Sequence, residues 1–218
     1  MYFSSRTQAG RMLARQLVKK YRHSNCAIMA IDDGGVIVGS QIASELHAIL
    51  TLLNSASIHL PLEPEAVAGI TSEGVVSYNP FYSSGEIDEL LSENRSFIEQ
   101  EKLRYIHELN SLEGSSGTVD KSLLKDQNVI LVSEGLKTSF QVELAYEFLK
   151  PVSIAKLIFA VPLASVPAVD RMHILGDEIY CLDVIEDYRD NNHYYDNNDL
   201  PDHSKIVNVI EQVVLNWH

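Results

Sequence analysis

Cysteine is scarce: Cys26 and Cys181 are the two thiols in 218 residues. So distant a pair makes neither a disulfide framework nor a CxxC metal motif. Both lie in apolar runs and read as buried core thiols of a reducing compartment. Long apolar stretches are missing as well. No window nears the ~18 consecutive apolar residues of a membrane span, so no membrane partner is expected. Positive charge is in short supply, with 17 Lys and Arg against 30 Asp and Glu and a net charge of −13. An acidic chain repels phosphate backbones, which excludes nonspecific DNA or RNA binding as the main role. The eight histidines show no HxxxH or HExxH spacing, so no catalytic metal is expected from them. No serine sits in a nucleophile elbow. Internal repeats and low-complexity linkers are absent.

The charge that is present is unevenly placed. Residues 1–31 hold Arg6, Arg11, Arg15, Lys19, Lys20 and Arg22 and no acid, and the rest of the chain holds 11 basic and 30 acidic residues. An acid-free, arginine-bearing segment has the composition of an organellar transit peptide. However, Ala9, Leu13, Gln16, Leu17 and Lys20 follow helical spacing, so Arg6 to Tyr21 reads as the first helix of the fold. A cytoplasmic location is expected.

Downstream, apolar runs with strand character alternate with helical periodicity. Strands are expected at 26–31, 57–60, 67–70, 75–78, 128–132, 154–163 and 178–184. Helices are expected at 38–53, 87–109, 140–149, 166–175 and 204–217. Gly114-Ser-Ser-Gly117 reads as a loop, and Pro61 and Pro64 as a turn. The Asp, Asn and Tyr-rich stretch 185–202 reads as a solvated surface loop, lacking the alternating acids and central glycine of a calcium hand. Strands alternating with helices indicate an α/β fold with a mostly parallel sheet flanked by helices. One domain is expected over 1–218, with residues 57–110 as a small flap or hood.

In such sheets ligands bind at the carboxyl ends of the strands. Two loops there carry chemistry. Asp32-Asp33-Gly34-Gly35 follows the first strand; its acids suit either a simple turn or the magnesium-bearing edge of a pocket. Ser133-Glu134-Gly135-Leu136-Lys137-Thr138-Ser139 runs from a buried strand into a helix, where free N–H groups and the helix dipole favour an anion. Neither loop has P-loop or GxGxxG spacing.

Residues 129–141, Val-Ile-Leu-Val-Ser-Glu-Gly-Leu-Lys-Thr-Ser-Phe-Gln, resemble the phosphoribosyl-diphosphate motif of type I phosphoribosyltransferases. Further pieces are similar to a bacterial group of that family: Phe3 to Gly10, Gly34-Gly35-Val36, Pro64-Glu65 with Gly69 and Glu73-Gly74, Phe159 to Ala164, Gly176 to Cys181, and Tyr194-Tyr195-Asp196. The resemblance implies a type I phosphoribosyltransferase fold. It gives two adjacent acids to the ribose hydroxyls, a Thr-Gly-x-Thr-like loop to the 5′-phosphate, and the loop after the first strand to pyrophosphate. It implies magnesium wherever phosphoribosyl diphosphate is bound.

The chain departs from that pattern. Ser133 replaces the first acid and leaves Glu134 as the catalytic candidate. Thr138 stays, but Ser139 stands for the glycine and Gln141 for the last hydroxyl. Asp33 stands where the family carries arginine, reversing the sign of the interaction with pyrophosphate. The third strand's end carries Ile58-His59-Leu60 in place of an Arg-Lys pair. Asp32, Asp33, Gly34, Gly35, Ser133, Gly135, Lys137, Thr138, Ser139 and Gln141 are the ligand-binding candidates, in a pocket between the two loops with 61–85 as a cover. The expected function is binding of a phosphorylated ribose or nucleotide with weak or lost transfer. The alternative is an active phosphoribosyltransferase using phosphoribosyl diphosphate and magnesium with an unknown acceptor. A pure interaction protein with a vestigial pocket, and a homo-oligomer, stay open.

Overall fold

The computed structural model describes residues 1–61, 63, 65–113 and 119–215. The expected Gly114–Gly117 loop, Pro64 and the last residues of the final helix fall outside them. The chain divides into two compact units, one of residues 1–53, 119–139 and 152–218, the other of 54–118 and 140–151.

The first unit is built on a five-stranded sheet, every pair of which is parallel. Its strands are β1 (Cys26–Ala30), β2 (Ile49–Leu52), β6 (Asn128–Val132), β7 (Lys156–Ser165) and β8 (Glu178–Ile185), in the order β2-β1-β6-β7-β8. Around it stand α1 (Arg6–Tyr21), α2 (Asp33–Leu46), α6 (Val166–Leu175) and α7 (His203–Leu215). Strand side chains alternate between faces. Ile28 and Ala30, Leu50 and Leu52, Ile130 and Val132, and Ile158 and Ala160 therefore form one apolar surface. It packs with Leu13 and Leu17 of α1, Val38 and Ile42 of α2 and Ile206 of α7. The α/β, mostly parallel fold read from the sequence is the fold observed.

The helix expected at 38–53 is two elements. Its helical part begins five residues earlier, because Asp32 caps α2 with extended backbone and accepts the Gly35 N–H at 2.5 Å. A carboxylate at that position answers orphan N–H groups and the positive end of the helix dipole. The Asp32–Gly35 segment is thus a cap and a first helical turn. The helix stops at His47, in the left-handed conformation (φ 50°), which frees 49–52 to pair with β1.

The second unit holds an antiparallel sheet of β3 (Ser55–Ile58), β4 (Ala68–Thr71) and β5 (Val76–Tyr78), with α3 (Ser84–Glu93), α4 (Arg95–Glu113) and α5 (Phe140–Leu149). Ile58, Ala68 and Ile70 pack with Tyr105 and Ile106 of α4. The single helix expected at 87–109 is broken at Asn94, whose backbone leaves helical geometry and whose amide donates to the Leu90 carbonyl at 3.1 Å. Such side-chain competition for backbone groups is why asparagine ends helices.

Candidate functional site

The strand order reverses between β1 and β6: the chain leaves β1 for β2 on one side, and β6 leads to β7 and β8 on the other. That switch point is where parallel sheets open a crevice at their carboxyl ends. Residues 32–35 emerge from β1 there and residues 133–136 from β6. The second segment stays tied to the sheet, since Leu136 N–H donates to the Leu163 carbonyl at 2.9 Å and Ser165 N–H to the Leu136 carbonyl at 2.8 Å.

The two loops are in direct contact. The Ser133 hydroxyl donates to the Asp32 carboxylate, and the Glu134 N–H lies 3.3 Å from Asp32 Oδ1. Asp32 therefore faces Ser133 at the end of the neighbouring strand. Burial drives the Asp32 carboxyl up to about 7, and the Glu134 charge adds to the rise. The donors Ser133, Gly35 and Glu134 N–H oppose it. Ser133 is itself fully buried and bonds the Gly135 backbone at 3.1 Å. Where the two loops meet, the Asp32 and Ser133 side chains are hydrogen-bonded to each other.

Glu134 is the centre of a polar cluster instead of a solvent-facing loop acid. Its Oε2 accepts from Nε of Arg6, a side chain only 3% exposed, and its Oε1 accepts from Asn191 Nδ2 at 3.0 Å. The Tyr195 hydroxyl donates to the Glu134 carbonyl at 2.6 Å. The Arg6 guanidinium also donates to Asn192 Oδ1 at 2.8 Å and lies over the Tyr195 ring, 4.6 Å from its centroid. Gly34 is required beneath this carboxylate: a methyl group there would overlap it and stand 2.8 Å from Glu134 Cβ. Gly135 makes room likewise for the Tyr188 hydroxyl and Asn191 Oδ1. Burial among these groups raises the Tyr188 and Tyr195 phenols well above their ordinary value, and the Glu134 charge adds to it.

The stretch 185–202 is largely exposed, as expected of a surface loop, with a packed centre. Tyr194 and Tyr195 are buried, and residues 191–194 form a short 3-10 turn capped by Asp190. Phe3 N–H donates to the Tyr194 carbonyl and Asp196 N–H to the Phe3 carbonyl, each at 2.9 Å, so the segment is stitched beside residues 3–4. Within it, Asn191 donates to Glu134, the Tyr188 hydroxyl donates to Asn191 and the Tyr195 hydroxyl donates to the Glu134 carbonyl, so this part of a polar stretch is anchored to the fold.

The remaining candidates are dispersed. Asp33 pairs with His203, Oδ1 to Nδ1 at 3.0 Å, and so is held by a side chain of its own chain. Lys137 is exposed, with Thr138 and Ser139 half-buried beside it. Gln141 is the second residue of α5, in the second unit. Cys26 is buried as expected, whereas Cys181 on the edge strand β8 is half-buried; burial pushes both thiols up to about 11.

Magnesium does not fit the acids found here. Both Glu134 oxygens face nitrogen donors, Asp32 accepts from three donors, and Asp33 is paired with His203. Among the described residues no three His, Cys, Asp or Glu side chains are grouped to hold a metal ion.

Sequence reasoning missed Arg6, Asn191, Asn192, Tyr188 and His203. One signal was legible. Arg6 is the first residue of α1, where the helix dipole disfavours a cation. An arginine there implies a buried anion nearby.

Comparison with known proteins adds an independent line. A family model described as "Phosphoribosyl transferase domain" matches residues 4–193. A Mycobacterium tuberculosis protein named "Putative phosphoribosyl transferase Rv0571c" is 26% identical over 181 residues, which are 83% of this chain and 40% of that protein. The chain thus spans well under half the length of this curated relative. Among solved structures, TT1426 from Thermus thermophilus aligns with a TM-score of 0.73 at 23% identity, covering 100% of this chain and 99% of that one. A hypothetical protein from Neisseria gonorrhoeae, solved with bound ppGpp, aligns with a TM-score of 0.53 at 14% identity, covering 97% and 98%. At these identities the two structures establish a shared fold.

Proposed function

The chain belongs to the phosphoribosyl transferase domain family, and on that premise we propose that it binds a phosphorylated ribose or nucleotide with weak or lost phosphoribosyl transfer. One observation carries this reading: Glu134, the only acid left where the family holds ribose, is neutralised by Arg6 inside the fold. A carboxylate already engaged by a guanidinium and an amide has little left to give a sugar hydroxyl. Asp33 adds to it. It is a negative side chain, hydrogen-bonded to His203, where the family's cation would meet departing pyrophosphate. Transfer needs that charge neutralised as the bond breaks.

The phosphate-binding half rests on Lys137, Thr138 and Ser139. A cation and two hydroxyls in one exposed turn suit a phosphomonoester, the lysine acting as a point charge and the hydroxyls as donors. Neither the sugar nor an acceptor base is specified by these three residues.

Calorimetric titration with ribose 5-phosphate, phosphoribosyl diphosphate and ppGpp tests the binding. The expected result is saturable binding weakened about tenfold or more by Lys137→Ala or Thr138→Val. Pyrophosphate release from phosphoribosyl diphosphate, assayed against a panel of nucleobases, tests the transfer. Release above the acceptor-free background would refute lost transfer and restore the active-enzyme reading.

A further inference from the structure

We infer that Arg6 is a built-in substitute for a divalent cation: it neutralises Glu134 from within the fold, so the site takes its phosphorylated ligand without magnesium. The ligand half of this inference rests on the proposed phosphate site; the metal half rests on geometry alone.

Magnesium binds through oxygen atoms at near-octahedral positions and gives up its water reluctantly, so it needs carboxylates that face an open, hydrated space. Three acids stand at the carboxyl end of β1 and β6, and each is already engaged by the chain's own groups. Glu134 Oε2 accepts from Arg6 Nε and Oε1 from Asn191 Nδ2 at 3.0 Å. Asp32 is half-buried and accepts from Gly35 N–H at 2.5 Å, from the Ser133 hydroxyl and from Glu134 N–H at 3.3 Å. Asp33 faces His203.

Arg6 is locked in place by more than its charge. Its terminal nitrogens reach Asn192 Oδ1 at 2.8 Å and the Asn197 carbonyl at 3.4 Å, and its plane lies on the Tyr195 ring. A planar guanidinium suits this fork of acceptors and aromatic face, which a hydrated ion does not. A cation arriving beside Glu134 would also have to approach Arg6 against like charge. The positive charge that a magnesium ion would bring to this acid is therefore already supplied by the chain.

Two measurements on the full chain decide the matter. Titration with Mn²⁺ followed by electron paramagnetic resonance reports divalent cation binding without any ligand. The expected result is no stoichiometric Mn²⁺ on the unmodified protein and one equivalent on folded Arg6→Gln, where Glu134 is released. One equivalent on the unmodified protein that Glu134→Gln abolishes would overturn the inference, and so would folded Arg6→Gln that binds none. Should Arg6→Gln fail to fold, the unmodified protein's titration alone decides. The second measurement is calorimetry with ribose 5-phosphate in magnesium and in a chelator. Equal affinity supports the inference, and tightening of about tenfold or more by magnesium overturns it. If ribose 5-phosphate binds in neither condition, the proposed phosphate site fails, while the Mn²⁺ titration still decides the role of Arg6.

Discussion

Replacing Asp32 with asparagine should stabilise the protein increasingly as pH rises. Asp32 is half-buried, and desolvation raises its carboxyl from 3.8 to about 7. Below the unfolded value the group is protonated in both states, and its contribution to stability is fully present. As pH rises the unfolded chain loses the proton first, so the contribution falls away and is gone above the folded value of about 7. A displacement of about three pH units corresponds to roughly 4 kcal/mol at about 1.4 kcal/mol each. Asparagine can keep the local geometry. Its Oδ1 can accept from Gly35 and Glu134 N–H, and its amide can donate to Ser133, whose hydroxyl turns to the Gly135 carbonyl already 3.1 Å away. Asparagine is also as good a helix cap as aspartate. Urea unfolding of both proteins, stepped from about pH 4 to about pH 8, measures the difference. The Asp32→Asn protein should gain a few kcal/mol over the unmodified one across that range, most steeply toward its middle. Asp33→Asn, on the same helix turn but partly exposed, controls for the change in net charge. A gain independent of pH, or one matched by Asp33→Asn, would refute the reasoning.

Arg6→Ala leaves the Glu134 charge buried without its guanidinium and should destabilise the fold by about 3–5 kcal/mol in chemical denaturation. Replacing both partners, as Arg6→Met with Glu134→Leu, should recover much of that loss, whereas simple addition of the two single changes would contradict a coupled pair. Tyr195→Phe removes only the hydroxyl that donates to the Glu134 carbonyl. It should lower stability by about 1 kcal/mol, seen as a drop of about 2–4 °C in Tm. Gly135→Ala puts a methyl group onto the Tyr188 hydroxyl and 2.9 Å from Asn191 Oδ1. Faster amide hydrogen exchange across 186–198 is expected, and unchanged exchange there would refute this packing. With Glu134 engaged internally, ribose 5-phosphate and 2-deoxyribose 5-phosphate should bind with affinities less than about tenfold apart; a larger preference for ribose would show that the acid still reads the diol.

Much of the architecture was legible along the chain because its signals are local. The run Asn128–Val132 and the helix at 140–149 were visible in apolar pattern alone, and both lie where expected. Boundaries failed where one side chain decides them. Asp32 starts α2 by bonding a backbone N–H, and Asn94 ends α3 by bonding a backbone carbonyl, and neither bond leaves a periodic trace. The segment 185–202 is largely exposed as expected, but its anchoring was not legible. Its composition is polar, and composition does not record that Asn191, Asn192 and Tyr195 find their partners on residues 57 to 186 positions away.

The candidate site divides the same way. Residue order is enough to say which functional groups are present: Asp32 and Asp33 after the first strand, Glu134 after Ser133, and Lys137 beside two hydroxyls. Their state is set by the folded arrangement. It brought Asp32 from one strand end to Ser133 at another, and set Arg6 against Glu134 across 128 residues of chain. The charge a buried acid carries, and what it remains free to bind, depend on burial and on the neighbours within a few ångströms. Those neighbours come together only when the strands lie side by side.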